Sequence, residues 1–172
     1  YNTPNQYSNL FMTSDGIYLT GLCFENSKDA MKHLSNLIPK NLPIFEETTK
    51  WLDIYFSGNN PSFTPLFKVE NITPFRKKVL DLLLEIPYGD VVSYNDIAKK
   101  IAVQNGLNKM SAQAVGGVVG WNPICLIIPC HRVIGSNGNL TGYGGGMKNK
   151  IELLRLEKNN MQNFIIPCTE EN

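Results

Sequence analysis

Residues 16–24, Gly-Ile-Tyr-Leu-Thr-Gly-Leu-Cys-Phe, crowd β-branched, aromatic and aliphatic side chains together, and Ser14-Asp15-Gly16 separates them from a shorter apolar stretch at Leu10-Phe11-Met12. β-formers on both sides of a turn-type triplet predict an antiparallel strand pair. The period then changes. Across 28–37 and 45–56 apolar residues return at helical intervals; Ser27 is placed to cap the first helix, and Gly58-Asn59-Asn60-Pro61 breaks the second. Thr73-Pro74 reads as an N-cap followed by proline at the first helical position, opening a helix that runs to Ile86 and stops at Pro87.

Beyond Pro87 the pattern predicts two short helices, 94–103 and 111–120, joined by a loop through Asn105-Gly106 in a helix-turn-helix arrangement. The apolar run Ile124-Cys125-Leu126-Ile127-Ile128 predicts a buried strand, and 150–157 an amphipathic helix ending in Glu157. Between them Gly142-Tyr143-Gly144-Gly145-Gly146 is a loop whose missing side chains permit close backbone approach to a ligand. The fold class expected is α/β: a small α/β domain over 1–70, then a mostly helical domain over 71–172 that holds the helix-turn-helix.

Composition narrows the picture. With 172 residues, 42% of them hydrophobic, and no apolar run near the ~20 residues of a membrane span, the chain is expected to be soluble, cytoplasmic and monomeric. The cysteines, Cys23, Cys125, Cys130 and Cys168, show no Cys-x-x-Cys spacing, and the histidines are His33 and His131, a set too poor to predict a metal or a disulfide scaffold. The net charge of +1 conceals an asymmetry: residues 1–70 carry five Lys or Arg against seven Asp or Glu, whereas 71–172 carry eleven against eight. A weakly basic half fits modest phosphate binding, and ordinary surface lysines explain the difference almost as well.

The basic half also holds the candidate chemistry, Ile127-Ile128-Pro129-Cys130-His131-Arg132-Val133. Cysteine attacks as thiolate, and a free pKa of ~8.5 leaves little of it ionised at neutral pH, so an adjacent base is the usual remedy. On an extended strand Cys130 and His131 would face opposite ways; they can cooperate only where the chain turns or a water bridges them. In 111–120, Ser-Ala-Gln-Ala-Val-Gly-Gly-Val-Val-Gly, Gln113 alone could read base edges. Small residues there suit either docking in a narrow groove or tight packing against a neighbour.

Pro129-Cys130-His131-Arg132-Val133, with Asn122-Pro123 upstream, Tyr94 before the first short helix and Gly142-Tyr143-Gly144 downstream, resembles the O6-alkylguanine-DNA alkyltransferases over about 73–157, with weaker support in Trp51-Leu52-Asp53-Ile54-Tyr55-Phe56-Ser57-Gly58 and Pro65-Leu66. The resemblance implies a ribonuclease-H-like N-terminal domain and a cofactor-free, irreversible and stoichiometric transfer of an alkyl group from O6 of guanine in duplex DNA to Cys130, with O4-alkylthymine left open as a second substrate. It implies that His131, oriented by Glu157, activates the thiol through a water, that Tyr94 donates to the leaving base, and that Asn122 braces the turn before the nucleophile. A base flipped through the minor groove would meet backbone groups at Cys130 and Val133, with Tyr143, Gly144 and Gly145 closing the pocket and glycines 144–146 letting that wall move aside. Ser93, Ala112, Gln113, Gly116 and Arg132 would face DNA. Gln113 departs from the family pattern, which has an arginine that fills the gap left by the extruded base. Lys109 lies where phosphate contact is expected, and Cys125 is read as a buried strand residue.

Three other classes stay open at this point: a damage-marking protein without repair, which Cys130 argues against; a helix-turn-helix regulator, for which 111–120 is poorly equipped; and a Cys-His hydrolase, which needs an oxyanion hole and would turn over repeatedly.

Overall fold

The expected strand pair forms, with the second strand starting three residues later than Gly16: β1 (Leu10–Ser14) and β2 (Leu19–Phe24) run antiparallel with Leu10 opposite Phe24 and Met12 opposite Leu22. Asp15 closes the turn by accepting hydrogen bonds from the amides of Ile17 and Tyr18, the local bonding for which Asp is favoured in turns. The computed structural model describes residues 1–27 and 38–167. The helix expected over 28–37, with His33, and Cys168 lie outside the described residues.

Helix α1 (Pro43–Phe56) starts two residues before the expected position, because proline is tolerated in a first turn, and it buries Ile44, Trp51, Leu52 and Tyr55. Helix α2 (Pro74–Leu84) is capped by Thr73, whose hydroxyl accepts from the Arg76 amide, and it ends two residues before Ile86. Helices α3 (Tyr94–Gln104) and α4 (Ala112–Trp121) are the expected helix-turn-helix. Ser93 and Asp96 form a capping box at the start of α3, and Ser111 caps α4. A two-residue parallel sheet joins β3 (Val92–Ser93) to β4 (Val133–Ile134), and α5 (Met147–Leu156) begins three residues before the predicted 150.

One expected element is absent. Residues 125–128 form a turn instead of a strand, with Leu126 at φ 68° and a single bridge from Ile124 to Leu22. Asn122 explains it: its amide donates to the Ile128 carbonyl at 2.8 Å and its side-chain oxygen accepts from the Ile124 amide at 3.1 Å. A side chain that captures backbone groups locally takes them away from a ladder. Cys125 is buried as expected, but in a turn.

Buried residues of both halves, among them Leu22, Leu52, Tyr55, Val79, Leu83, Ile101, Val115 and Ile124, belong to one contiguous cluster. A smaller cluster of Ile134, Leu140 and Leu154 lies under α5. The segment after α5 packs back on the protein through the Ile165 bridge to Asn139. Among the described residues no helix is long and apolar enough to cross a membrane, and no group of His, Cys, Asp and Glu could hold a metal ion.

A continuous core predicts that the halves unfold together. Leu22→Ala, which opens a cavity where the hairpin meets Ile124, should cost about 2–5 kcal/mol and lower the urea midpoint of a single transition. A separate N-terminal transition would show the core to be divided.

Candidate active site

Asn122, the residue after α4, ties the helix-turn-helix to the nucleophile turn. From there the chain passes Pro129 and enters a short 3₁₀ turn, Cys130–Arg132, packed against α5. The chain therefore bends where a strand would have separated Cys130 from His131. All three side chains of the turn are buried, Cys130 at 6% exposure and His131 at 0%.

Burial pushes the Cys130 thiol above its ordinary value, opposed by the Asn122 side chain and by the charge of Lys150. The resting group is thus a thiol that needs a base. The Tyr143 hydroxyl is buried beside it and finds no other partner among the described residues; burial and the Cys130 charge raise its pKa. The Tyr94 hydroxyl makes only long contacts, 3.4 Å to the Thr141 carbonyl and 3.5 Å to that of Gly142, and burial with the charge of Cys130 lifts its pKa to about 12. It stays protonated at neutral pH and has a proton to donate.

The Glu157 carboxylate, just past the end of α5, accepts five hydrogen bonds. Its Oε1 accepts from His131 Nε2 at 2.8 Å, Tyr55 at 2.7 Å and Arg132 Nη2 at 2.9 Å; its Oε2 accepts from Arg132 Nε at 2.9 Å and the Gly89 amide at 3.1 Å. Burial alone would raise the pKa of this carboxyl, but hydrogen bonds and charge from His131 and Arg132 hold it well below the usual carboxylate range. Burial lowers the pKa of His131, so the ring is neutral near pH 7. With Nε2 engaged by Glu157, Nδ1 is left buried and without a protein partner among the described residues. A neutral imidazole with a free nitrogen, one residue from a buried thiol, is equipped to take its proton.

Lys150 is fully buried, with its ammonium donating to the carbonyls of Val133 at 2.7 Å, Thr141 at 3.1 Å and Gly142 at 3.4 Å; burial lowers its pKa to about 8. The Val133 carbonyl, expected to face a bound base, thus already accepts from Lys150.

Two concavities flank the nucleophile turn. One, about 630 Å³, is lined by Cys130, Asn122, Tyr143, Gly144 and Gly145 and reaches the β-hairpin at Gly21 and Cys23. The other, about 660 Å³, is a groove between Tyr94, Ala112, Gln113 and Gly116 on one side and Ser136, Thr141 and Gly142 on the other. The expected pocket residues are therefore divided between two hollows. Gly145 has a packing reason of its own: a Cβ there would lie 2.6 Å from Phe24 and 2.7 Å from Tyr143. On α4, Gln113, Gly117 and Gly120 are exposed, and a Cβ at Gly117 or Gly120 would meet nothing within 4 Å. Packing within the described protein does not require those two glycines; at Gly116 a Cβ would touch the Tyr94 ring at 3.7 Å.

Arg132 is a correction. Expected at a DNA surface, it lies inside, paired with Glu157, donating to the Ile86 carbonyl at 2.7 Å and stacked over Tyr88. A guanidinium so engaged does not reach a phosphate. Ser93 spends its hydroxyl on Asp96 in the α3 cap.

Tyr55 and Lys150 are the participants that sequence reasoning missed. Lys150 was legible: Lys150, Leu153, Leu154 and Glu157 share i, i+3, i+4, i+7 spacing, which puts a lysine on the inward face. Tyr55 carried no comparable mark beyond its place on the buried face of α1.

Removing one member of a buried ion pair strands the other. Glu157→Gln should cost about 3–5 kcal/mol at pH 7. A carboxylate with a depressed folded pKa stabilises fully above its unfolded value of ~4.3 and loses that contribution as pH falls. The penalty should therefore shrink below about pH 4, as urea titrations of both proteins across that range would reveal.

With this geometry in place, comparisons with known proteins are direct. The family described as "6-O-methylguanine DNA methyltransferase, DNA binding domain" matches residues 74–159. A methylated-DNA–protein-cysteine methyltransferase of Haemophilus influenzae is 36% identical over 160 residues, covering 90% of this chain and 83% of that protein. One from Methanosarcina acetivorans is 44% identical over 118 residues, covering 69% and 72%. Among solved structures, the Mycobacterium tuberculosis O6-methylguanine methyltransferase superposes with a TM-score of 0.73 at 36% identity, covering 91% of this chain and 90% of that one. The OGT of that organism in complex with DNA gives 0.72 at 36% identity, covering 90% and 88%. The chain belongs to the methylated-DNA–protein-cysteine methyltransferase family.

Proposed function

We propose that this protein repairs DNA by moving an alkyl group from O6 of guanine onto Cys130. The observation that carries the reading is a buried thiol one residue from a neutral histidine whose Nε2 is held by Glu157 and whose Nδ1 is free. His131 takes the thiol proton, through a water if the two do not meet directly; the sulfur lone pair forms the S–C bond, and the C–O6 bond breaks with its electron pair on guanine. Tyr94, protonated and loosely held, donates toward the departing base. Glu157 steadies the imidazolium formed on the way. Nothing regenerates the thiol from a thioether, so each molecule acts once.

DNA enters along the exposed face of α4. Ala112, Gly116, Gly117 and Gly120 present little bulk there beside Gln113, which favours close approach in the minor groove over reading of base edges. Lys109, exposed in the turn between α3 and α4, is placed for phosphate contact. The target base flips out past Gln113, whose amide can pair with the orphaned partner base, and is received by the groove beside Tyr94 and by the pocket wall at Val133, Tyr143, Gly144 and Gly145. Residues 1–70 serve as the scaffold domain and 71–172 as the domain that handles DNA, and the protein acts as a monomer.

Incubation with a duplex carrying one O6-methylguanine should add one methyl mass to the intact protein and saturate at one per molecule, with no gain in Cys130→Ser. Repeated turnover, or a gain that survives the serine substitution, would refute the reading. Gln113→Ala should slow transfer from duplex roughly tenfold, the worth of about one hydrogen bond, while leaving transfer from a single strand nearly unchanged. Single-turnover rates on both substrates measure this.

A further inference from the structure

We propose that Tyr55 is a positioning residue for the transfer: its hydroxyl, delivered by α1, holds the Glu157 carboxylate and tempers the pull of that carboxylate on the His131 Nε2–H. The inference rests on the methyl-transfer reading above and deepens it, because it gives the N-terminal half a part in the chemistry.

The Tyr55 hydroxyl has one proton, and the 2.7 Å contact to Glu157 Oε1 takes it. Its oxygen then lies 3.3 Å from His131 Nε2, which is also 2.8 Å from the same Oε1. Nε2 thus faces two oxygens that both present lone pairs. A lone pair on Nε2 would be repelled by both, and an N–H there is attracted by both, so the proton sits on Nε2 and the free lone pair on Nδ1. Nδ1 is the nitrogen without a protein partner among the described residues. The arrangement keeps the working nitrogen basic before substrate arrives.

Packing, not the hydroxyl, places the ring. Tyr55 stacks on Trp51 with centroids 5.3 Å apart and an 8° interplanar angle, and its edge meets Tyr88 at 6.1 Å and Phe56 at 5.5 Å. Tyr55→Phe therefore subtracts one donor and leaves the stack. Around the His131–Glu157 pair stand Arg132 from the nucleophile turn, Lys150 from α5, Tyr88 from the turn before β3, Tyr7 from the N-terminal segment, and Cys130. Of these, burial keeps Tyr55, Tyr88 and Tyr7 protonated, and Lys150, lowered to about 8, and the Cys130 thiol, raised by burial, titrate on the alkaline side. A shift in the acid limb is therefore assigned to His131.

With one donor fewer, the carboxylate becomes a stronger acceptor and stabilises the imidazolium, so the His131 pKa rises. Tyr55→Phe should still take one methyl per molecule. Its single-turnover rate at pH 7 should fall about tenfold, and the acid limb of its pH–rate profile should move to higher pH. In the unreacted protein, a ¹⁵N NMR titration of His131 should show Nε2–H retained in the neutral ring and the midpoint of imidazolium formation moved to higher pH. A variant with 3,5-difluorotyrosine at position 55 keeps the ring, strengthens the donor, and should move the acid limb the other way; it also serves should the phenylalanine variant fail to fold. An unmoved His131 titration and an unmoved acid limb, with only the melting temperature lowered, would overturn the proposal. If the unaltered protein took up no methyl, the parent reading would fall, while the His131 titration, made without substrate, would still decide the role of Tyr55.

Discussion

A carboxylate taken out of water must be repaid in hydrogen bonds and charge, and Glu157 is where this structure meets that demand. Its two oxygens collect donors from α1, from the turn before β3 and from two consecutive residues of the nucleophile turn. Each of those segments is thereby held in one position. Replacing such a group by a well-packed apolar residue is often neutral or stabilising in proteins. The gain here lies in geometry: His131 and Arg132 can satisfy Glu157 only when the Cys130–Arg132 turn is formed.

That constraint bears on how a poorly ionised cysteine could serve as the proposed nucleophile. Burial raises the Cys130 pKa, which makes ionisation depend on a base. The proposed base, His131, is neutral because burial lowers its own pKa. Asn122 adds a second coupling: as the residue that ends α4 and bonds to Ile124 and Ile128, it fixes the nucleophile turn relative to the helix proposed to meet DNA. A shift of α4 would be felt at Cys130 through six residues of hydrogen-bonded turn.

Where sequence reasoning succeeded, the signal was local. Thr73, the expected cap, sits at the N-terminus of a helix that forms there, because a cap satisfies amides within three residues of itself. Where it erred, the outcome depended on residues far apart. The run 124–128 has strand composition, but Asn122 bonds to its backbone first. Arg132 has the look of a surface cation until Glu157, 25 residues away, claims it.

The amino-acid sequence by itself determined the five α-helices of the described residues, the hairpin, the helix-turn-helix and the Cys130-His131 pair proposed to carry the chemistry, since propensity, capping and a contiguous motif act over a few residues. Only the tertiary structure decided that Cys130 and His131 share a turn, that Arg132 points inward, and that Tyr55 and Lys150 join the site. These are matters of burial and of partners between 8 and 102 positions apart in the chain, and the free energy that settles them, the desolvation of charged groups against their pairing, exists only once the chain has closed around them.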